Sequence, residues 1–176
     1  MKLTSIPLVG AYVVEFEPVL DERGFFARTW SAQEFKLHGL NPTVAECSLS
    51  FNKRKGTLRG LHYQDEPYPE AKLVRCSAGA IYDVILDLRR TSPSYCKWFA
   101  AELTAENRTM LYVPEGVAHG FQTLTDGAEV FYQISASYWP DLARGVRWDD
   151  PAFGIEWPIP DPILSRRDRT FPDHTP

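Results

Sequence analysis

The chain has little cysteine, and its three cysteines lie far apart in the sequence. Cys47, Cys76 and Cys96 form neither a Cys-x-x-Cys pair nor the even-numbered set that a disulfide framework requires. Residues 1–8 show no signal-peptide pattern, and no apolar run reaches the length of a transmembrane helix. These absences predict a cytoplasmic protein with reduced thiols and no contact with a membrane.

The sequence also lacks a basic block and a dinucleotide-binding fingerprint. Lys and Arg number 19 against 23 Asp and Glu, which gives a formal net charge of −4. Nucleic acid is therefore not an expected partner, although a local group of Arg and Lys side chains could still bind an anionic ligand. No Gly-x-Gly-x-x-Gly run is present, so a nicotinamide cofactor is not expected either.

What the sequence does contain is a series of short strand-like runs. Glycine, proline, Asn-Arg or Asp-Gly separates them, and no long helices alternate with them, which predicts a mainly β protein, either a sandwich or a barrel. One helix is predicted from Ser31 to His38, because Ser31 and Glu34 have the spacing of a capping box. The predicted strands run over 10–16, 25–30, 72–76, 80–88, 98–103, 110–113, 120–123, 129–135 and 146–148.

The length of 176 residues suits one domain covering 1–176, with an irregular proline-rich segment from about residue 149. Within the predicted strands, four polar side chains alternate in phase with apolar neighbours and so should face the interior. They are His62, Lys72, His119 and Tyr132. Taken singly, each has a structural explanation: a core histidine, a lysine with a buried stem, or a strand tyrosine with a wet hydroxyl.

Taken together, the four side chains favour a functional site, because burying several polar groups is unfavourable unless they are paired or used. Arg59 is out of phase with His62 in the run 56–64. If both serve one site, a β-bulge or a barrel rim must bring them onto the same side.

The run 113–121 (VPEGVAHGF) resembles the second half-motif of the cupin β-barrels. Metal-binding cupins carry a His-x-His pair and a glutamate in the first motif, where this chain has His62-Tyr63-Gln64. With the second histidine missing, no three-ligand metal site is expected. His119 would remain as a polar residue of the wall.

A set of ordered motifs carries a closer resemblance. They are 21–26 (DERGFF), 56–64 (GTLRGLHYQ), 72–75 (KLVR), 84–89 (VILDLR), 114–121 (PEGVAHGF) and 144–151 (RGVRWDDP). From about Val9 to Asp168 the chain closely resembles the dTDP-4-dehydrorhamnose 3,5-epimerases. The resemblance implies a cupin-type jelly-roll β-barrel with a few short helices, a homodimer, and an isomerase that needs no metal or cofactor.

The resemblance also implies roles for individual residues. His62 matches the catalytic base, Asp168 the carboxylate that orients it, and Tyr132 the general acid. Residues matching the sugar and diphosphate contacts are Arg59, Lys72, His119 and Tyr138, and those matching nucleotide-side contacts, which in this family can reach across a dimer, are Arg23 and Phe26.

The chemistry of the family's substrate agrees with these roles. The substrate is a nucleotide-linked 4-keto-6-deoxyhexose, whose C4 ketone makes the hydrogens on C3 and C5 removable. A base must take a proton from one face of the ring, and an acid must return one to the other. Lys72 is a candidate to stabilise the enolate oxygen that forms in between.

Three departures from the family pattern leave the substrate open. Arg28 stands where the family has glutamate, Glu46-Cys47-Ser48 where it has Gln-x-Asn, and Ala143 where it has glutamate. These positions belong mainly to the nucleotide and sugar side. A CDP- or GDP-linked sugar, or epimerisation at C3 or C5 alone, is therefore an alternative.

Two further alternatives belong to other classes of protein. The first is a metal-dependent cupin enzyme, against which the missing ligands count. The second is a non-catalytic module that binds sugar nucleotides. Against it count His62, Asp168 and Tyr132, because a binding module needs no base and acid together.

Overall fold

The computed structural model describes residues 1–175, and most of its strands belong to two antiparallel sheets. In spatial order the six-stranded sheet contains β1 (Lys2–Ser5), β2 (Tyr12–Glu15), β10 (Met110–Val113), β7 (Lys72–Ala78), β12 (Ala128–Ile134) and β5 (Glu46–Asn52). The five-stranded sheet contains β13 (Ala143–Gly145), β6 (Leu58–Gln64), β11 (Val117–Thr123), β8 (Ala80–Asp87) and β9 (Trp98–Thr104). The prediction of a mainly β protein is confirmed.

The remaining elements are short. Strands β3 (Val19–Asp21) and β4 (Gly24–Phe26) pair as a separate hairpin. The helices are α1 (Ala32–Leu37), α2 (Arg166–Arg169) and a single 3₁₀ turn at Pro140–Leu142. This agrees with the few short helices that were expected.

The main core lies between the two sheets. Alternate side chains of β7 and β12, such as Val74 and Val130, meet Ile85 and Phe121 from β8 and β11, and all four are buried. Full burial of such a side chain contributes roughly 1.5–3 kcal/mol. Successive residues of a strand point to opposite faces, so the apolar residues next to these in the chain lie on the outer faces of the sheets. Other segments of the chain cover them there.

A smaller layer covers the outer face of the six-stranded sheet. Phe35 of α1 packs with Leu73 and Tyr112, which point away from the main core. The predicted N-cap is confirmed, because the Ser31 hydroxyl accepts a hydrogen bond from the Glu34 amide at 3.4 Å. The Glu34 carboxylate binds the N-terminal amine at 3.0 Å.

The C-terminal segment covers the outer face of the five-stranded sheet. Val146 and Phe153 pack on Leu61, Val84 and other apolar side chains of that face. The chain then returns to the start of β6, where Ile163 forms backbone hydrogen bonds of 2.9 Å with Gly56 and Leu58. This path carries α2 to the side of β6, although the segment is mostly irregular, as predicted.

Most predicted strands appear within three residues of their expected limits, but two predictions were wrong. The hairpin strand ends at Phe26, so residues 27–30 are irregular. The last strand is Ala143–Gly145 and not 146–148, although Val146 still exchanges two backbone hydrogen bonds with Leu61. Strands β1, β3 and β5 and helix α2 were not predicted. Residues 2–5, 19–21 and 166–169 are too short to show a period.

Candidate active site

A cavity of about 600 Å³ lies at one end of the space between the sheets. Seven of the nine residues predicted for the site line it. They are His62, Tyr132, Asp168, Arg59, Lys72, His119 and Tyr138. The expectation that the in-phase polar side chains point inward is therefore confirmed for all four of them.

A β-bulge brings Arg59 and His62 to the same cavity. His62 lies opposite His119 and Arg59 opposite Phe121, so three steps along β6 match two along β11. The bulge expected from the phase conflict is thus present. Gly60 lies within it at φ +127°, and a Cβ there would be only 2.5 Å from the Gly120 Cα. The bulge therefore depends on glycine in both strands.

His62 is paired with a buried carboxylate from α2. Its Nε2 lies 2.7 Å from Asp168 Oδ1. Burial opposes ionisation of Asp168, but hydrogen bonds from His62, the Ser165 hydroxyl and the Gly60 amide outweigh it and lower the pKa of Asp168. The ionised carboxylate accepts a hydrogen bond from the Nε2–H of His62, which leaves the Nδ1 lone pair of the neutral ring as the basic site.

Tyr132 projects into the cavity from β12, in the sheet opposite His62. Burial raises the pKa of its phenol strongly, the negative charge of Asp83 adds to this, and Arg59 opposes it. The hydroxyl is therefore protonated at neutral pH. The cavity thus has a histidine paired with a carboxylate on one wall and a protonated phenol on the other.

Asp83 is a buried carboxylate that pairs with His119, and His119 lines the cavity. The His119 Nε2 lies 2.7 Å from Asp83 Oδ1, and both side chains are buried. Burial raises the pKa of Asp83, while His119 and Lys72 oppose the rise. Asp83 was not predicted, although a carboxylate in the middle of the apolar strand β8 was a visible signal.

Cations surround the rest of the cavity. Lys72 Nζ lies 2.9 Å from Glu70 Oε1 and 3.4 Å from the His62 carbonyl oxygen. The Arg59 Nε donates to Asn52 Oδ1 at 2.8 Å. Two further arginines that sequence reasoning missed, Arg144 and Arg167, also line the cavity. Four cations in one cavity suit a ligand with a diphosphate.

Arg23 and Phe26, the two remaining predicted residues, do not line the cavity. Both lie on the exposed hairpin, where Arg23 is paired with Asp21 at 2.5 Å and Phe26 is 76% exposed.

Two of the departures from the family pattern lie at the cavity itself. Ser48 and Ala143 line it, while Glu46 Oε1 accepts a hydrogen bond from the Tyr138 amide at 3.0 Å. Arg28 does not line the cavity, and its guanidinium lies 3.7 Å from the Glu34 carboxylate.

Within residues 1–175, no group of three or more His, Cys, Asp or Glu side chains is arranged to hold a metal ion. None of the helices in this range is long and apolar enough to cross a membrane.

The fold and the cavity define the class of protein: a cupin-like β fold whose cavity contains a histidine–aspartate pair, a buried phenol and four cations. Comparisons with known proteins agree. A family model described as dTDP-4-dehydrorhamnose 3,5-epimerase matches residues 5–175. The chain belongs to this family, and it is an epimerase of the isomerase class.

Individual relatives cover nearly all of the chain. The dTDP-4-dehydrorhamnose 3,5-epimerase of Shigella flexneri is 43% identical over 159 residues, which are 89% of this chain and 87% of the relative. The crystal structure of the Bacillus anthracis enzyme, with TDP and PPi bound, has a TM-score of 0.94 at 37% identity and covers 98% of this chain and 99% of that one. The Legionella pneumophila enzyme, in complex with dTDP-4-keto-L-rhamnose, has a TM-score of 0.87 at 32% identity, with 95% and 89% covered.

Proposed function

We propose that the chain inverts C3 and C5 of dTDP-4-dehydro-6-deoxyglucose, a step of deoxysugar biosynthesis. The observation that carries the proposal is the 2.7 Å pair of His62 and Asp168 on one wall, facing the buried phenol of Tyr132 on the other. Inversion needs a base and an acid on opposite faces of the ring, and this arrangement supplies them.

Each inversion then has two proton steps. The Nδ1 of His62 takes the proton from C3 or C5, and the electrons of the broken C–H bond move onto the C4 oxygen to form an enolate. Lys72 stabilises that oxygen by its charge. The enolate electrons then form a new C–H bond on the opposite face with the proton of Tyr132. His62 then releases its extra proton to water and Tyr132 takes one up, so the net change is an inverted centre, with no oxidation or reduction.

The remaining predicted residues hold the substrate. Arg59, His119 and Tyr138 line the same cavity as the base and contact the sugar and diphosphate in this proposal. Arg23 and Phe26 serve the nucleotide side from a second copy of the chain. Support for a thymidine nucleotide comes from the Bacillus anthracis relative, whose structure contains TDP and PPi.

The test is exchange with solvent deuterium. The chain is incubated in deuterium oxide with dTDP-, CDP- and GDP-linked 4-keto-6-deoxyhexoses, and the C3 and C5 protons are followed by NMR. We expect loss of both proton signals with the dTDP sugar. Exchange at one carbon, or only with another nucleotide, would replace the proposal by the corresponding alternative, and no exchange at all would refute it.

We also propose that the chain is a homodimer. Val19, Leu20 and Phe26 of the hairpin are 70%, 75% and 76% exposed, and Leu49 and Phe51 of β5 are 57% and 56% exposed. Strand β5 is an edge of the six-stranded sheet. Apolar side chains next to a free sheet edge favour a protein partner, and a second copy would bring Arg23 and Phe26 to a cavity.

Two broader expectations are proposed on the same basis. The chain acts as one domain over 1–176, supported by N-terminal β2 and central β10 sharing a sheet, and by β13 pairing with β6. A cytoplasmic location is supported by three free cysteines.

A further inference from the structure

Glu70 is an unexpected residue for a cavity that binds an anion. Four of the lining side chains are cations, and Asp168, which holds the base, is the only other carboxylate among the lining residues. A second carboxylate would weaken the binding of a diphosphate by repulsion. Its presence therefore needs a reason in the chemistry of the site.

The contacts of Glu70 supply that reason. Its Oε1 lies 2.9 Å from Lys72 Nζ, and both side chains are only 11% exposed. Among residues 1–175, the only other polar contact of this ammonium is the weak one, 3.4 Å long, to the His62 carbonyl oxygen. A lysine side chain has four rotatable bonds, so a single long contact would leave its charge poorly placed. A charge-assisted hydrogen bond in a partly buried place fixes it.

We propose that Glu70 is a positioning residue that holds the Lys72 ammonium against the C4 oxygen of the substrate, at the expense of diphosphate affinity. The inference rests on the proposed function, in which Lys72 stabilises the enolate. It has a consequence that a merely structural role lacks. Removing the charge of Glu70 should strengthen the binding of the nucleotide and weaken the catalytic step.

The first experiment replaces Glu70 by its isosteric amide. In Glu70→Gln we expect the Kd of dTDP, measured by calorimetry, to fall about threefold, because one repulsive charge leaves the cavity. We expect kcat to fall about tenfold, because the hydrogen bond that places Lys72 loses the negative charge of its acceptor. Glu66→Gln is the matched control: Glu66 is exposed on the same loop, and both quantities should stay unchanged.

The second experiment tests whether the effect passes through Lys72. Lys72→Met leaves the Glu70 carboxylate without its partner, which should lower both the Tm and the affinity for dTDP. Adding Glu70→Gln to Lys72→Met should recover part of both losses. Without coupling, the double variant would bind dTDP no better and melt no higher than Lys72→Met alone.

The outcomes separate this inference from the proposed function. A Glu70→Gln variant that loses affinity and kcat together, or keeps its full kcat, overturns the positioning role. Loss of deuterium exchange at only one carbon overturns it as well, because Glu70 would then act as an acid or base. If the unaltered chain binds dTDP but exchanges no proton, the proposed function fails. In that case the affinities for dTDP of the parent, Glu70→Gln, Lys72→Met and the double variant still decide whether the charge of Glu70 neutralises that of Lys72.

Discussion

The pair of His62 and Asp168 illustrates how one residue depends on a distant one. The two are 106 positions apart, yet their side chains lie 2.7 Å from each other. Because the pKa of Asp168 is lowered, its carboxylate keeps its charge through the pH range in which an ordinary aspartate is protonated. The charge is lost only as the pH falls through the lower pKa of the folded state. At neutral pH the carboxylate therefore holds His62 in one tautomer.

The first prediction concerns this carboxylate. Asp168→Asn keeps the shape of the side chain but removes the charge that fixes the His62 proton. We expect kcat to fall by about a hundredfold or more, the usual range for a positioned proton-transfer group. Steady-state turnover of the dTDP sugar measures it, with Asp141→Asn, an exposed position outside the cavity, as the control. Turnover within twofold of the parent would show that Asp168 does not support the base.

The second prediction separates the base from the acid. His62→Ala should abolish exchange at both C3 and C5, because no proton can then be removed. Tyr132→Phe should reduce epimerised product far more than exchange, because the carbanion still forms and regains deuterium on the original face. NMR in deuterium oxide measures both. Near-normal exchange in His62→Ala would place the base elsewhere.

At the scale of elements, the bulge of β6 decides which side chains meet. It requires glycine at position 60, because a Cβ there would approach the Gly120 Cα to 2.5 Å. The Gly60 amide in the bulge also donates a hydrogen bond to the Asp168 carboxylate. The bulge thus links the position of Arg59, the position of His62 and the charge of Asp168.

The third prediction follows from that close approach. Gly60→Ala should lower the free energy of unfolding by at least about 3 kcal/mol, since backbone atoms must move and the φ angle is unfavourable for a side chain. Gly24→Ala is the matched control, because Gly24 has φ +133° with nothing within 4 Å of a Cβ. It should lose only about 1–2 kcal/mol. Chemical denaturation measures both, and equal losses would contradict the contact argument.

A second element-scale feature lies at the end of β8. Burial opposes ionisation of Asp87, but hydrogen bonds from Arg89, Ser92 and Ser94 outweigh it and lower its pKa to about 2. A carboxylate with a lowered pKa stabilises the folded state above its ordinary pKa of 3.8, and this contribution disappears as the pH falls through the folded value.

The fourth prediction uses that sign. Asp87→Asn should lower the free energy of unfolding at pH 7 by about 2 kcal/mol. Its deficit relative to the parent should shrink between pH 4 and about pH 2, where the parent carboxylate becomes protonated. Urea denaturation at several pH values measures this, with exposed Glu102→Gln as the control. A deficit that does not change with pH would assign the loss to packing.

At the scale of the whole molecule, the proposed dimer would cover exposed apolar side chains of β5 and of the hairpin. The fifth prediction is that Phe51→Asp converts a dimer into a monomer of 20.0 kDa, because a charge cannot be buried there without a partner. Sedimentation velocity measures the mass. Leu37→Asp is the control, because Leu37 on α1 is 77% exposed and lies outside this surface. A monomeric parent chain would contradict the proposed assembly.

The sequence by itself predicted the kind of molecule and much of its site. The alternation of apolar and polar residues predicted most strands and the inward direction of Lys72 and Tyr132, because the face that a strand residue takes is a local property of the backbone. The phase conflict between Arg59 and His62 predicted a bulge or a barrel rim, and the register shows a bulge. The family motifs supplied Asp168, which no local pattern could connect to β6.

Only the tertiary structure decided which polar groups are partners. It paired Asp83 with His119, Glu70 with Lys72 and Asn52 with Arg59. It also left Arg23 and Phe26 outside the cavity. The sequence determines which face each strand residue takes, because that depends on its neighbours in the chain. Hydrogen-bond partners and pKa values depend on burial and on charges that come together only when distant segments pack.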